Sequence, residues 1–144
     1  MDLHALEPAY LLKDVPTAVR TGIAIELTPG TEGQVRPRSG LALKHGVTVW
    51  NAPGTVDPSY RGEIKVILLW NGLGDFEFFD IKPGDRIAQL VIARYLEVVM
   101  VESEELSESL RGVGGFGSSG IGSDKPIVVV DMTLDEPGSR PSNA

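Results

Sequence analysis

The segment Asn51–Gly62 brings three polar side chains of different chemistry close together, directly after an apolar run that ends in Trp50. The Asn51 amide can both donate and accept hydrogen bonds, which is what reading a nucleobase edge requires. The Asp57 carboxylate, placed beside a polyphosphate, could be a general base that activates water. The Tyr60 ring could lie flat on a sugar and exclude an extra hydroxyl. The same residues also fit a hairpin connection with an Asx-turn at Asp57 and a tyrosine in the core.

A second polar segment, Pro37–Gly40, has the composition of a turn that could bind phosphate. Proline fixes the entry to the turn, and glycine permits close approach of the backbone. Arg38 and Ser39 supply a charged and a neutral donor suited to phosphate oxygens. A turn that merely carries a surface arginine is the alternative interpretation.

Polar side chains also interrupt an apolar run in Gly84–Leu90, where Arg86 and Gln89 are polar residues among aliphatic ones. Polar groups in such a run need hydrogen-bond partners. Gln89 could serve a ligand, or neighbouring backbone groups could satisfy it.

Six glycines surround a single aromatic residue, Phe116, in the segment Arg111–Gly122. Glycine backbone entropy opposes ordering of such a stretch. It is therefore either a flexible linker or a lid that becomes ordered over a ligand.

In chain order these segments read PRSGL, NxxGTVDxxYRGEI, GDRIAQL and RGxGGFGSSG. This order and spacing resembles the second to fifth motifs of the trimeric dUTP pyrophosphatase (dUTPase) family, over about Thr21 to Gly120. The resemblance implies an all-β, jelly-roll-like or distorted-barrel fold in a homotrimer. It also implies hydrolysis of dUTP to dUMP and pyrophosphate with Mg²⁺, which limits uracil in DNA and supplies dUMP.

The resemblance further assigns roles to individual residues. Asp57 would activate the water that attacks the α-phosphorus, Asn51 would read the uracil edge, and Tyr60 would stack on deoxyribose and reject ribose. Mg²⁺ would be held by phosphates and water, with Asp2 as a candidate in its outer shell. Each site would combine motifs from different subunits. The other substrate-binding residues implied are Arg38, Ser39, Gly40, Gly54, Thr55, Val56, Lys65, Gln89, Arg111, Phe116, Gly117, Ser118 and Ser119.

The two ends of the chain depart from the family pattern. Only Met1–Leu3 remains of the first motif, and an additional strand, Pro126–Leu134, follows the fifth. One hypothesis is a circular permutation in which this strand takes the position of the family's first strand. The other is a truncated start with an unrelated extension. The expected domains are a β-domain at 1–110, the glycine-rich lid at 111–122, and the additional strand and tail at 123–144.

The elements that must position these side chains are predicted to be short strands. The chain of 144 residues suits one domain, and its 17 glycines and 10 prolines favour strands joined by turns. In Glu63–Trp70, alternate aliphatic residues would lie on opposite faces, with both faces covered. Ser39–His45 is the only stretch predicted to be helical, and Trp50 is expected in the core. The apolar runs are Thr21–Leu27, Val47–Trp50, Glu63–Trp70, Phe76–Ile81 and Ile87–Val101.

Charge and composition exclude several classes of function. A net charge of −7 argues against binding a nucleic-acid backbone, and the lack of cysteine excludes disulfides and thiolate metal sites. No apolar stretch reaches transmembrane length, and the acidic start does not resemble a signal peptide. We therefore expect no membrane or nucleic-acid partner and a cytoplasmic location.

Two rival functions remain open on the sequence. A dCTP deaminase would need an acid/base glutamate on the strand after the Asp57 loop, where only Glu63 is available, at the start of that strand. A nucleotide-responsive regulatory protein on the same fold would bind dUTP without requiring turnover.

Overall fold

Short antiparallel strands make up nearly all of the regular structure in this computed structural model, which describes residues Met1–Gly115. Among these residues a single helix, α1 (Ser39–His45), follows the fourth strand. The strands are β1 (Asp2–His4), β2 (Ala9–Leu12), β3 (Thr17–Arg20), β4 (Thr31–Arg36), β5 (Val47–Val49), β6 (Gly54–Val56), β7 (Lys65–Trp70), β8 (Phe78–Ile81) and β9 (Arg86–Arg94).

The strands form three sheets, in the orders β1-β9-β4-β6, β2-β8 and β3-β7-β5. Every pair within these sheets is antiparallel. Buried aliphatic residues from all three sheets join in one core. The predicted all-β class is confirmed, but the described strands form three separate sheets and do not close into one barrel.

Strand β7 lies at the centre of its sheet and follows the predicted alternation. Val66, Leu68 and Trp70 are fully buried, as is Ile64 just before the strand. The opposite face, with Ile67 and Leu69, is only half-buried. The expectation that both faces are covered is therefore met on one face of the single chain.

The predicted helix is confirmed with its predicted bounds, and Gly46 ends it. Gly46 has φ +66°, a left-handed conformation that glycine adopts without a steric penalty. Its carbonyl accepts a hydrogen bond from the Asn71 N–H at 3.0 Å. A Cβ at position 46 would overlap the Asn71 side-chain amide. The end of α1 and the turn after β7 are thus fitted to each other.

The prediction that Trp50 lies in the core is wrong, because its side chain is 59% exposed. Val47 and Val49 of β5 point into the core, so the two-residue period of a strand directs the next residue outward. An apolar run of four residues did not by itself reveal which face was buried.

Two predicted strand runs are also corrected. Thr21–Leu27 forms no strand, since Gly22 at φ +70° interrupts the extended backbone. The run Ile87–Val101 is a strand only to Arg94, where its partner β4 begins at Thr31. Between Tyr95 and Gly115 the structure has no paired strand, and Met100, expected to pack within a strand, is exposed.

The chain divides into two units, the first being Met1–Met100 and the second beginning at Val101. The domain boundaries predicted at 110 and 122 stay predictions. The permuted-strand hypothesis for Pro126–Leu134 falls outside the described residues. Within Met1–Gly115, no helix is long and apolar enough to cross a membrane.

Candidate active site

A cavity of about 370 Å³ lies beside the segment that joins β5 to β7. Strand β6 pairs with β4 and fixes the middle of this segment, because Gly54 lies opposite Val35 and Val56 opposite Gly33. We call this cavity the Asp57 cavity. It is lined by Ala18, Val35, Asn51, Gly54, Thr55, Val56, Asp57, Tyr60, Glu63, Ile64, Lys65 and Ile67.

Asp57 presents an ionised carboxylate at the edge of this cavity. Its Oδ1 accepts hydrogen bonds from the Ser59 hydroxyl and from the Ser59 N–H, the latter at 2.9 Å. These two bonds lower the pKa of Asp57 because they stabilise the charged form, and the bond from the Ser59 hydroxyl has the larger effect. The Asx-turn considered from the sequence is therefore present, and it orients the carboxylate as well as ordering the loop.

Tyr60 is 43% exposed, which excludes the alternative that it is a core residue. Its hydroxyl donates to the Glu63 carbonyl at 2.9 Å, so the ring is held at both ends. A Cβ on Gly62 would come within 2.6 Å of the ring carbon that carries the hydroxyl. Gly62 therefore makes room for the ring, a role that sequence reasoning missed although the residue follows Tyr60 closely.

Gly54 is buried directly beneath the Asn51 amide. A Cβ on Gly54 would lie 3.2 Å from Asn51 Nδ2 and 3.4 Å from Val35 Cβ. Any side chain here would press on the amide that is proposed to read a base edge. The structure thus gives Gly54 a spatial reason for its place in the predicted site.

Glu63 lines the same cavity and was not predicted as a site residue. Its carboxylate accepts the Gly22 N–H at 2.8 Å and the Arg20 Nε–H at 3.0 and 3.2 Å. Both partners lower the pKa of Glu63, and the bond from the Gly22 N–H has a larger effect than the bonds from Arg20. Because its partners lie more than 40 residues away in sequence, only its position after the motif tyrosine could have singled it out.

A second group of polar side chains, the Asp2 cluster, consists of Asp2, Arg38, Arg86 and Gln89. Asp2 Oδ1 lies 3.4 Å from Arg38 Nε, and Oδ2 lies 3.8 Å from Arg86 Nη1. Arg38 Nη1 also donates to the Arg86 carbonyl at 3.0 Å. Gln89 Nε2 donates to the Pro37 carbonyl at 2.9 Å, so a backbone group satisfies part of this amide, as one interpretation of the sequence allowed.

The structure therefore brings together some predicted site residues and not others. Seven predicted residues line the Asp57 cavity: Asn51, Gly54, Thr55, Val56, Asp57, Tyr60 and Lys65. The predicted phosphate ligands Arg38, Ser39, Gly40 and Gln89 do not line it. Ser39 and Gly40 are exposed at the start of α1.

The glycine-rich segment is described only at its beginning. Arg111 Nε donates to the Gly114 carbonyl at 2.8 Å within a local turn. The predicted ligands Phe116, Gly117, Ser118 and Ser119 lie outside the described residues.

Residues 1–115 contain no group of three or more carboxylate or imidazole side chains that could hold a metal ion. Mg²⁺ usually keeps several waters and is commonly bound through substrate phosphates and one or two carboxylates. Asp2, with a partly exposed carboxylate, is the acidic residue of the Asp2 cluster that could accept a hydrogen bond from metal-bound water.

Comparison with known proteins places this geometry in context. A family model described as dUTPase matches residues 1–120. The deoxyuridine 5'-triphosphate nucleotidohydrolase of Solibacter usitatus is 54% identical over 120 residues, which is 83% of this chain and 79% of that protein.

Solved structures give the same answer for the fold. A mutant dUTPase of Staphylococcus bacteriophage 80alpha, solved with dUpNHpp, has a TM-score of 0.71 and 25% identity, covering 83% of this chain and 85% of its own. A mutant dUTPase of phage phi11 of S. aureus, described with a structural Mg(II) ion, has a TM-score of 0.67 and 20% identity, covering 74% and 84%.

Proposed function

Because this chain belongs to the dUTPase family and hydrolyses dUTP to dUMP, we propose that Asp57 is the base that activates the attacking water. We further propose that each complete site combines groups from more than one copy of the chain. The observation that carries the proposal is the shared cavity of Asn51, Asp57 and Tyr60. These side chains supply a base-edge reader, a carboxylate and a sugar platform within one space.

In the proposed reaction, Asp57 takes a proton from water as the water oxygen bonds to the α-phosphorus. The bond from that phosphorus to the bridging oxygen breaks, and pyrophosphate leaves with the electron pair. The lowered pKa keeps Asp57 in the charged form that accepts a proton. Such chemistry depends mainly on positioning and on stabilisation of charge.

Asn51 and Tyr60 would orient the nucleoside part of the substrate. The Asn51 amide would pair with the uracil edge through one donor and one acceptor. Tyr60, held by its bond to Glu63, would lie against deoxyribose and exclude a 2'-hydroxyl. Gly54, Thr55, Val56 and Lys65 form the remaining predicted wall of the cavity.

Arg38, Ser39, Gly40 and Gln89 would bind the phosphates, and a bound magnesium ion would neutralise part of their charge. That ion would rest on phosphate oxygens and water, with Asp2 accepting from a metal-bound water. The phage phi11 enzyme, which shares this fold, is described with a structural Mg(II) ion. The Asp2–Arg38 contact would keep the arginine oriented until a phosphate is present.

The separation of the two groups within one chain supports a shared site. The Asp57 cavity contains Asn51, proposed to recognise uracil, and Asp57, proposed to activate water. The candidates for phosphate binding do not line this cavity. In a homotrimer, one copy would supply the cavity and a second copy the Asp2 cluster. By resemblance, Arg111, Phe116, Gly117, Ser118 and Ser119 would then cover the uracil and the terminal phosphate as a lid.

The deaminase alternative loses support from the surroundings of Glu63. A general acid must hold a proton near neutral pH, whereas the hydrogen bonds to Glu63 lower its pKa and occupy both carboxylate oxygens. Ammonia should therefore not be released from dCTP.

Turnover of dUTP, dTTP, dCTP and UTP, each with and without Mg²⁺, tests the proposal. We expect strong preference for dUTP, because the cavity reads both base and sugar, and near-complete loss of rate when the metal is chelated. Pyrophosphate release is the readout, and restoration by added Mg²⁺ controls for damage by the chelator. Equal hydrolysis of all four nucleotides would contradict the proposed roles of Asn51 and Tyr60.

Replacing Ser59 with alanine should raise the pKa of Asp57, because it removes the largest cause of its lowered value. A carboxylate acts as a base only above its pKa, so the acidic limb of kcat/KM should move to higher pH. The titration of Asp57 can be followed by carboxyl carbon NMR in the free enzyme. Ser103→Ala, at a serine whose hydroxyl donates to the nearby Glu105 carbonyl and which does not line the Asp57 cavity, is the matched control. An unchanged Asp57 titration in Ser59→Ala would show that this bond does not set its acidity.

A further inference from the structure

The segment Arg20–Ile23 holds the chain immediately after Tyr60 through several hydrogen bonds. Arg20 Nε bonds both oxygens of the Glu63 carboxylate, and Gly22 N–H bonds one of them. Thr21 Oγ1 donates to the Ile64 carbonyl at 2.6 Å, and Ile64 N–H donates to the Ile23 carbonyl at 2.8 Å. Glu63 is therefore fixed by its side chain and by the residue that follows it.

The fixed Glu63 is in turn the anchor of Tyr60. The Tyr60 hydroxyl donates to the Glu63 backbone carbonyl, and the ring lies over Gly62. Any displacement of Glu63 would move the far end of the ring. Arg20 thus reaches the wall of the Asp57 cavity through one intermediate residue.

The Arg20–Glu63 pair contributes little as a simple ion pair. Its side chains are 46% and 23% exposed, and exposed pairs of this kind add little to stability. What distinguishes it from a surface pair such as Arg61–Glu26 is its geometry: Glu63 receives three charge-assisted bonds and carries the acceptor for Tyr60. We therefore expect the Arg20–Glu63 contact to affect the positions of Glu63 and Tyr60 more than the free energy of unfolding.

We propose that Arg20 is a positioning residue that, through Glu63, sets the location of the Tyr60 ring and thereby the discrimination between deoxyribose and ribose. The inference rests on the proposed role of Tyr60 against the sugar. Steric rejection of one hydroxyl depends on where the ring edge lies, and small displacements at a reacting site have large effects on rate. Arg20 is not among the residues that line the cavity, so its proposed effect on the substrate runs through Glu63 and Tyr60.

The test is the ratio of kcat/KM for dUTP to kcat/KM for UTP. Arg20→Ala should lower this ratio by about tenfold, mainly through faster use of UTP, with little change in thermal midpoint. Glu63→Gln, which keeps the shape but loses the charge, should lower it in the same direction. Arg20→Lys should give an intermediate ratio, and it serves as the readout if the alanine variant does not fold.

A double variant separates positioning from a general structural effect. Tyr60→Phe removes the hydroxyl that bonds Glu63, so adding Arg20→Ala to it should cause no further fall in the ratio. If Arg20→Ala lowers the dUTP to UTP ratio as much in the Tyr60→Phe variant as in the unmodified protein, the proposal is overturned. Glu7→Gln is the matched control, since Glu7 lies 3.6 Å from Arg20 without touching Glu63, and its ratio should match that of the unmodified protein.

Two failures remain distinguishable. If Tyr60→Ala leaves the dUTP to UTP ratio unchanged, the sugar role of Tyr60 is wrong and the positioning role of Arg20 falls with it. If Tyr60→Ala lowers the ratio but Arg20→Ala and Glu63→Gln do not, only the positioning role is overturned.

Discussion

Asp57→Asn is expected to lower kcat for dUTP by about 10³-fold while leaving dUTP binding nearly intact, because general-base catalysis contributes on that order. Asparagine has the same shape and can still accept the Ser59 N–H bond at its Oδ1, so the loop should keep its conformation. What is lost is the charged oxygen that takes the proton. Single-turnover kinetics would give the rate, and calorimetry with dUTP and Mg²⁺ would give the affinity.

Asp85→Asn is the matched control for this variant. Asp85 is also a turn carboxylate, since its Oδ2 accepts the Lys82 N–H at 2.8 Å, but it does not line the Asp57 cavity. Its rate should stay close to that of the unmodified enzyme. Loss of rate in Asp85→Asn with a normal rate in Asp57→Asn would reverse the assignment of the base.

Mixing two inactive variants should restore activity if sites are shared between copies. Asp57→Asn removes the general base from its own cavity, and Arg38→Ala removes a phosphate ligand from its own Asp2 cluster. A site is complete when the Arg38→Ala chain supplies the cavity and the Asp57→Asn chain supplies the Asp2 cluster. Random assembly of equal amounts would make about a quarter of the sites competent, if each site draws on two neighbouring subunits. The measurement is dUTP turnover after the two variants are unfolded together and refolded.

The control for this experiment mixes the same variants after they have refolded separately, where exchange of subunits is limited. Activity should then stay near the sum of the two single variants. If co-refolding gives no more than that sum, each chain carries its own complete site. The proposal of intersubunit sites would then be abandoned, whereas the role of Asp57 would stand on its own variant.

Local sequence signals predicted the parts of the fold in which one residue type settles the outcome. The end of α1 follows from Gly46, and the buried face of β7 follows from the alternation of Val66, Leu68 and Trp70. Trp50 was misplaced because a strand of three residues does not show from its sequence which face meets the core. Thr21–Leu27 was misread because Gly22 and the Thr21 hydroxyl replace strand pairing with side-chain bonds.

The same division holds for the site. Asn51, Asp57 and Tyr60 are close in sequence, so a single loop places them together, and all three line the Asp57 cavity. The partners of Glu63 were not predictable, because Arg20 and Gly22 reach it only after β3 pairs with β7. Contacts that depend on the pairing register of two strands far apart in the chain cannot be predicted from the local sequence of either strand.

The fit between Gly46 and Asn71 limits how this lineage can vary. A larger residue at position 46 would require the Asn71 side chain to move aside or residue 71 to become smaller, and it would have to adopt a left-handed backbone conformation that most side chains disfavour. Whether a side chain is tolerated at position 46 therefore depends on the residue at position 71. Divergence in this part of the molecule should therefore proceed by coupled substitutions, with the helix that follows Arg38 held in place throughout.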